Sequence, residues 1–146
     1  MASKISADEY RGLAELRYRI RLFLKEGDAA ALKAGLEPKQ YLLLLAVRGI
    51  SEYEEATIGM LAERLAIKHH SAVELVDRLE KRGFVKRVRG REDRRQVKVA
   101  LLPRGEKVLA RVVEDRISEL RASGAALARA IESLLRGKKR SARRSG

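Results

Sequence analysis

Thr57-Ile-Gly-Met-Leu-Ala-Glu-Arg-Leu-Ala-Ile-Lys-His-His-Ser-Ala-Val-Glu-Leu-Val-Asp-Arg-Leu-Glu-Lys-Arg-Gly83 decides the reading of this chain. Ile58, Leu61, Ala62 and Leu65 stand at i, i+3, i+4 and i+7, one face of a 3.6-residue helix. Ala72, Leu75, Val76 and Leu79 repeat the same template. Only Ala66 to Lys68 separates the two. Thr57 is placed to cap the first helix, and Gly83 ends the second. Two short amphipathic helices joined by so tight a turn share one core only by crossing steeply, which is a helix-turn-helix. Ile67 plugs the angle between them.

Downstream the period changes from 3.6 to 2. Val97, Val99 and Leu101 alternate with Gln96, Lys98 and Ala100, and Phe84 to Arg89 alternates less cleanly. The pattern predicts a β-hairpin over about 85–101 with a polar, arginine-rich tip, Gly90 to Arg95. Pro103 then opens a helix with the stripe Leu109, Val112, Val113, Ile117 and Leu120. Gly124 is read as interrupting it before a last helix carrying Leu127, Ala130, Ile131 and Leu134.

Upstream, Ser6 and Glu9 have capping-box spacing and open a helix of about 6–34, with Leu13, Leu16, Ile20 and Phe23 as its stripe and Gly35 at its end. Pro38 starts a second helix whose apolar run, Tyr41 to Val47, marks it as central and buried; Gly49 is read as closing it. Ile50 to Ala56 reads as an acidic connector. The fold expected is therefore mainly α with a small β-hairpin: a winged helix-turn-helix over 36–102. It is flanked by an N-terminal dimerisation helix (1–35), C-terminal dimerisation helices (103–135) and a disordered basic tail (136–146). The stripes at both ends lie outside the winged-helix core and call for a partner chain.

The 146 residues carry 33 Lys+Arg against 20 Asp+Glu, net +13, which predicts a polyanionic partner. Much of the excess sits in Lys81 to Arg95 and in Arg136 to Gly146. The latter run is expected to add affinity without specificity. With no Cys there are no disulfides, thiol nucleophiles or Cys-type metal sites. His69 and His70 are the only histidines, so no metal set and no cofactor is expected. No glycine-rich phosphate loop, nucleophile–base order or paired-carboxylate motif points to an enzyme. The first 15 residues lack a secretory h-region, and the longest apolar run is seven residues where a membrane span needs about 20. A soluble, cytoplasmic protein is expected. Four Tyr, two Phe and no Trp give few stacking platforms for single strands. Duplex DNA fits better, and a small basic RNA- or ribosome-associated structural protein is the alternative.

The stretches Ile58 to Leu65 and Lys68 to Gly83, the Arg91-Glu-Asp-Arg-Arg-Gln-Val-Lys-Val run and Leu101-Leu-Pro-Arg-Gly105 together resemble the MarR family of transcriptional regulators. The wing motif Asp93-x-Arg95 is its most specific piece. The resemblance implies a homodimer on a pseudo-palindromic operator, usually a repressor, released in many members by a small aromatic or phenolic ligand. It implies that Arg95 enters the minor groove, that Asp93 braces the wing and that Ser71 faces DNA. The candidate DNA-binding residues are His69, His70, Ser71, Arg89, Arg91, Arg94 and Arg95. Leu102 stands where the family usually has Thr, removing an N-cap hydroxyl. Pocket residues follow no fixed motif, so no ligand-binding residue is assigned.

Overall fold

The structure, a computed structural model, describes residues 4–144. The elements run α1 (Ala7–Lys33), α2 (Pro38–Ser51), α3 (Ile58–Leu65), α4 (His69–Lys81), β1 (Val85–Arg89), β2 (Val97–Leu101) and α5 (Pro103–Arg144). The mainly helical winged architecture is the one the sequence pattern implies.

Local chemistry sets most boundaries. Ser6 Oγ accepts the Glu9 N–H and Glu9 Oε2 accepts the Ser6 N–H, each at 3.1 Å, so the box at the start of α1 closes both ways. Thr57 Oγ1 accepts the Met60 N–H at 3.2 Å and caps α3. Helices α1, α3 and α4 end alike. A residue just past the last helical turn takes positive φ, its N–H reaches back three residues and the next N–H reaches back five. Glycine fills that place at Gly35 and Gly83, but in the helix-turn-helix turn it is Ala66, at φ 53°. Gly105 answers a packing need instead: a Cβ there would lie 2.1 Å from the Phe84 carbonyl oxygen.

Three sequence readings need correction. Helix α2 runs through Gly49 to Ser51. Helix α5 is one element of 42 residues, uninterrupted at Gly124. A single interior glycine costs only about 1 kcal/mol against alanine, and Ala122, Ala125, Ala126 and Ala128 around it are the strongest helix formers. The tail read as disordered continues α5 as helix to Arg144. It contains no proline, Lys and Arg have good helix propensity, and cations suit a helix C-terminus. Positions 145 and 146 of that tail lie outside the described residues.

The chain forms two compact units, one of residues Asp28–Glu114 and one of those up to Gly27 and from Asp115 onward. The division falls inside α1 and α5. The physical reason is packing: Ala31 near the end of α1 and Leu109 and Val112 early in α5 are buried in the winged-helix core. That core centres on Leu43, Leu44 and Val47 of α2, Leu61 of α3, Val76 and Leu79 of α4, and Val85 and Val99 of the hairpin. The hairpin is antiparallel, with Val85 opposite Leu101 and Arg89 opposite Val97. In the other unit the Arg116 guanidinium is buried, donates to the Phe23 carbonyl at 3.0 Å and stacks on the Phe23 ring. Leu13, Ile20 and Leu24 on α1 and Ile117, Leu120, Ile131 and Leu135 on α5 remain exposed.

Left-handed backbone disfavours any residue with a Cβ. Ala66→Gly relieves that strain, partly offset by the extra freedom glycine gives the unfolded chain. The variant is expected to gain about 0.5–1 kcal/mol of stability, read as a higher urea midpoint at unchanged slope.

Candidate nucleic-acid interface

The hairpin tip is built from backbone before any side chain reaches out. The Gly90 N–H donates to the Gln96 carbonyl at 2.9 Å and the Gln96 N–H to the Asp93 carbonyl at 3.1 Å. A Cβ on Gly90 would stand 2.7 Å from that Asp93 oxygen, so the turn leaves no room for a side chain. Asp93 Oδ1 accepts the Arg95 N–H at 2.9 Å, a bond that shapes the tip from within. Arg89, Arg91, Arg94, Arg95 and Asp93 are all exposed. Among the described residues no carboxylate pairs with the guanidinium of Arg89, Arg91, Arg94 or Arg95.

The connector before α3 does more than its acidic composition indicated. The Val99 N–H donates to the Ala56 carbonyl at 2.8 Å, and Thr57 bridges antiparallel to Lys98. Residues 56 and 57 thus form a short third edge of the hairpin sheet. Both Glu55 carboxylate oxygens lie 3.3 Å from the Arg91 N, and Oε1 takes the Lys98 ammonium at 2.9 Å. The hydrogen bond from Lys98, then the one from the Arg91 backbone, hold the Glu55 carboxyl below its ordinary value of 4.5 against the opposing effect of desolvation. Its ionised form is the bound form, so the contact is complete above pH 4.5 and is lost as pH falls through the lowered value.

Arg87 in β1 ties the hairpin to α4. Its guanidinium meets Asp77 at 2.5 Å, Glu80 at 3.2 Å and the Val73 carbonyl at 3.3 Å, while its N–H donates to Glu80. Arg82 is likewise turned inward, donating to Gln40 Oε1 and the Gly35 carbonyl and lying over the Phe84 ring. Two of the basic residues counted in the 81–95 run are therefore engaged in the fold. Arg87 and Glu55 carry no motif. Their partners lie 7 to 43 residues away, and only the fold brings them together.

At the start of α4, His69 and His70 are exposed and Ser71 is half-buried. The N-cap, Lys68, makes no side-chain cap bond. The first-turn N–H groups therefore have no capping side chain, at the positive end of the helix dipole. Among the described residues no group of three or more His, Cys, Asp or Glu is arranged to hold a metal ion, and no helix is long and apolar enough to cross a membrane.

Comparison with known proteins matches residues 34–96 to the model of the MarR family. An uncharacterized HTH-type transcriptional regulator of Bacillus subtilis (strain 168), YsmB, is 29% identical over 106 residues, 73% of this chain and 70% of its own length. Among solved structures, the transcriptional regulator BldR from Sulfolobus solfataricus is 27% identical with a TM-score of 0.63, over 94% of this chain and 99% of that one. A MarR family protein from Bacillus stearothermophilus has the same fold at 24% identity and a TM-score of 0.68, over 94% and 98%.

Arg87→Ala is expected to cost about 2 kcal/mol of unfolding free energy, because it strips charged hydrogen bonds from Asp77 and Glu80 together. Denaturant titration measures it. A loss no larger than that of an exposed arginine such as Arg78→Ala would show the network to be ornamental.

Proposed function

We infer, from the match of residues 34–96 to the MarR family, that this chain belongs to that family of transcription regulators and acts as a homodimeric repressor on a pseudo-palindromic duplex operator, released by a small aromatic ligand. The observation that carries the DNA contact is the wing tip. Four arginines without carboxylate partners, Arg89 at the end of β1 and Arg91, Arg94 and Arg95 in the tip, flank a turn held by backbone bonds between Gly90, Asp93 and Gln96 and by the Asp93 carboxylate. Arginine is the side chain that narrow A·T-rich minor grooves attract. Asp93 braces the tip through the Arg95 N–H. His69, His70 and Ser71 bring short polar groups and first-turn N–H donors to the major groove or its phosphates. The exposed apolar side chains on α1 and α5, Leu13, Ile20 and Ile131 among them, support the second copy. The effector reading rests on the family alone. The protein is read as cytoplasmic, where its operator is.

Arg95→Ala is the deciding experiment. On an operator selected from random duplexes it is expected to lose about 1–3 kcal/mol of affinity, with an unchanged melting curve and unchanged assembly. Footprinting is expected to show two half-sites about one helical turn apart. An Arg95→Ala protein that is folded and binds like the parent would refute the wing assignment. A footprint without dyad symmetry would favour the RNA- or ribosome-associated alternative.

Sedimentation at micromolar concentration is expected to give twice 16.4 kDa. Replacing Ile20 and Leu134 with Glu is expected to lower stability as well as association, since obligate dimers often have no stable folded monomer. A well-folded monomer of the parent chain would refute the dimer.

A further inference from the structure

We propose that Glu55 is a positioning residue for DNA binding, its carboxylate setting the wing tip against the helix-turn-helix from a place outside the hairpin. The proposal rests on the reading that the tip contacts DNA. Two carboxylates hold the tip, and they do different jobs. Asp93 binds the N–H of Arg95, two residues on, and so fixes the shape of the turn without placing it on the rest of the protein. Glu55 binds the N–H of Arg91, 36 residues on, and the ammonium of Lys98, 43 residues on. It therefore relates the first residue of the arginine run to the segment that leads into α3.

The two residues that follow make the connection stiff. Ala56 accepts the Val99 N–H, Thr57 bridges to Lys98, and the Thr57 hydroxyl caps α3. Three consecutive residues thus hold the tip, the returning strand and the first helix of the helix-turn-helix. A tip that pivots about Gly90 instead visits many orientations, and a groove contact must select among them at a loss of affinity.

Charge alone predicts the opposite effect, which makes the role testable. Glu55 is an anion within a basic surface, and removing it raises the local positive potential that a polyanion feels. If Glu55 were only a charge, Glu55→Gln would tighten every duplex complex. If it positions the tip, Glu55→Gln weakens the operator complex while leaving non-operator binding equal or tighter, because non-specific binding depends on net charge rather than on aim.

The experiment uses the full chain, a selected operator and a non-operator duplex of equal length, with circular dichroism as the folding control. Glu55→Gln is expected to bind the operator roughly 5–10-fold more weakly and the non-operator duplex no more weakly. Hydrogen exchange at the Arg91 amide is expected to accelerate. In an Arg95→Ala background the same substitution is expected to change operator affinity far less, since its effect passes through the tip. Operator binding unchanged or tightened in Glu55→Gln would overturn the proposal, as would full additivity with Arg95→Ala. Should Glu55→Gln misfold, Lys98→Met removes the ion pair from its other side and is expected to weaken operator binding more than non-operator binding; equal losses would overturn the proposal. A weak Arg95→Ala beside a neutral Glu55→Gln refutes the positioning role alone. Neutrality in both refutes the reading of the wing itself.

Discussion

One backbone hydrogen bond, from the Val99 N–H to the Ala56 carbonyl at 2.8 Å, organises the winged unit. A two-stranded hairpin by itself is marginal in water. Here the connector after α2 adds a third edge, and the strand gains a partner on its second side. The same connector supplies Thr57, whose hydroxyl caps α3. The start of the helix-turn-helix and the return strand of the wing are therefore fixed by neighbouring residues, and neither can shift without the other. Arg87 closes the circuit from the opposite side by joining β1 to α4 through Asp77 and Glu80.

The charge of the protein divides into two populations with different consequences. Arg82, Arg87 and Arg116 face carbonyls, carboxylates or aromatic rings and help to hold the fold. Arg89 at the end of β1 and Arg91, Arg94 and Arg95 in the tight turn face solvent. Net charge governs how fast and how strongly any polyanion is drawn in. Where the unengaged guanidiniums stand governs which groove they can read. The formal +13 already counts the acids that pair with Arg87, and it says nothing of where the unengaged guanidiniums are aimed.

Residues up to Gly27 and from Asp115 onward form a unit with a different character. Its buried polar centre is Arg116, satisfied by a main-chain carbonyl and the face of Phe23 rather than by an acid. Its helices leave large apolar side chains in water, Leu13 and Leu24 on α1 and Leu135 on α5 among them. The winged unit, by contrast, buries the apolar stripes of α3 and α4 in its own core. That contrast within one chain is why assembly and DNA contact are assigned to different units.

Signals that act over a few residues were legible in the sequence. The two i, i+3, i+4, i+7 templates with Thr57 and Gly83 placed α3 and α4. The Ser6–Glu9 box placed the start of α1, and the period-2 run placed the hairpin and its arginine tip. Propensity and capping are local physics, so one chain suffices to read them. The same local reasoning misjudged Gly49, Gly124 and the basic tail, because whether a single glycine or a charge run ends a helix depends on its neighbours' propensity and packing as much as on itself. The third sheet edge at Ala56 and Thr57, the Arg87–Asp77–Glu80 network and the Glu55 contact to Arg91 and Lys98 were decided by tertiary structure. Their partners are brought together only by the fold, and an acid or an arginine in a charged stretch carries no mark of which partner the fold will bring to it.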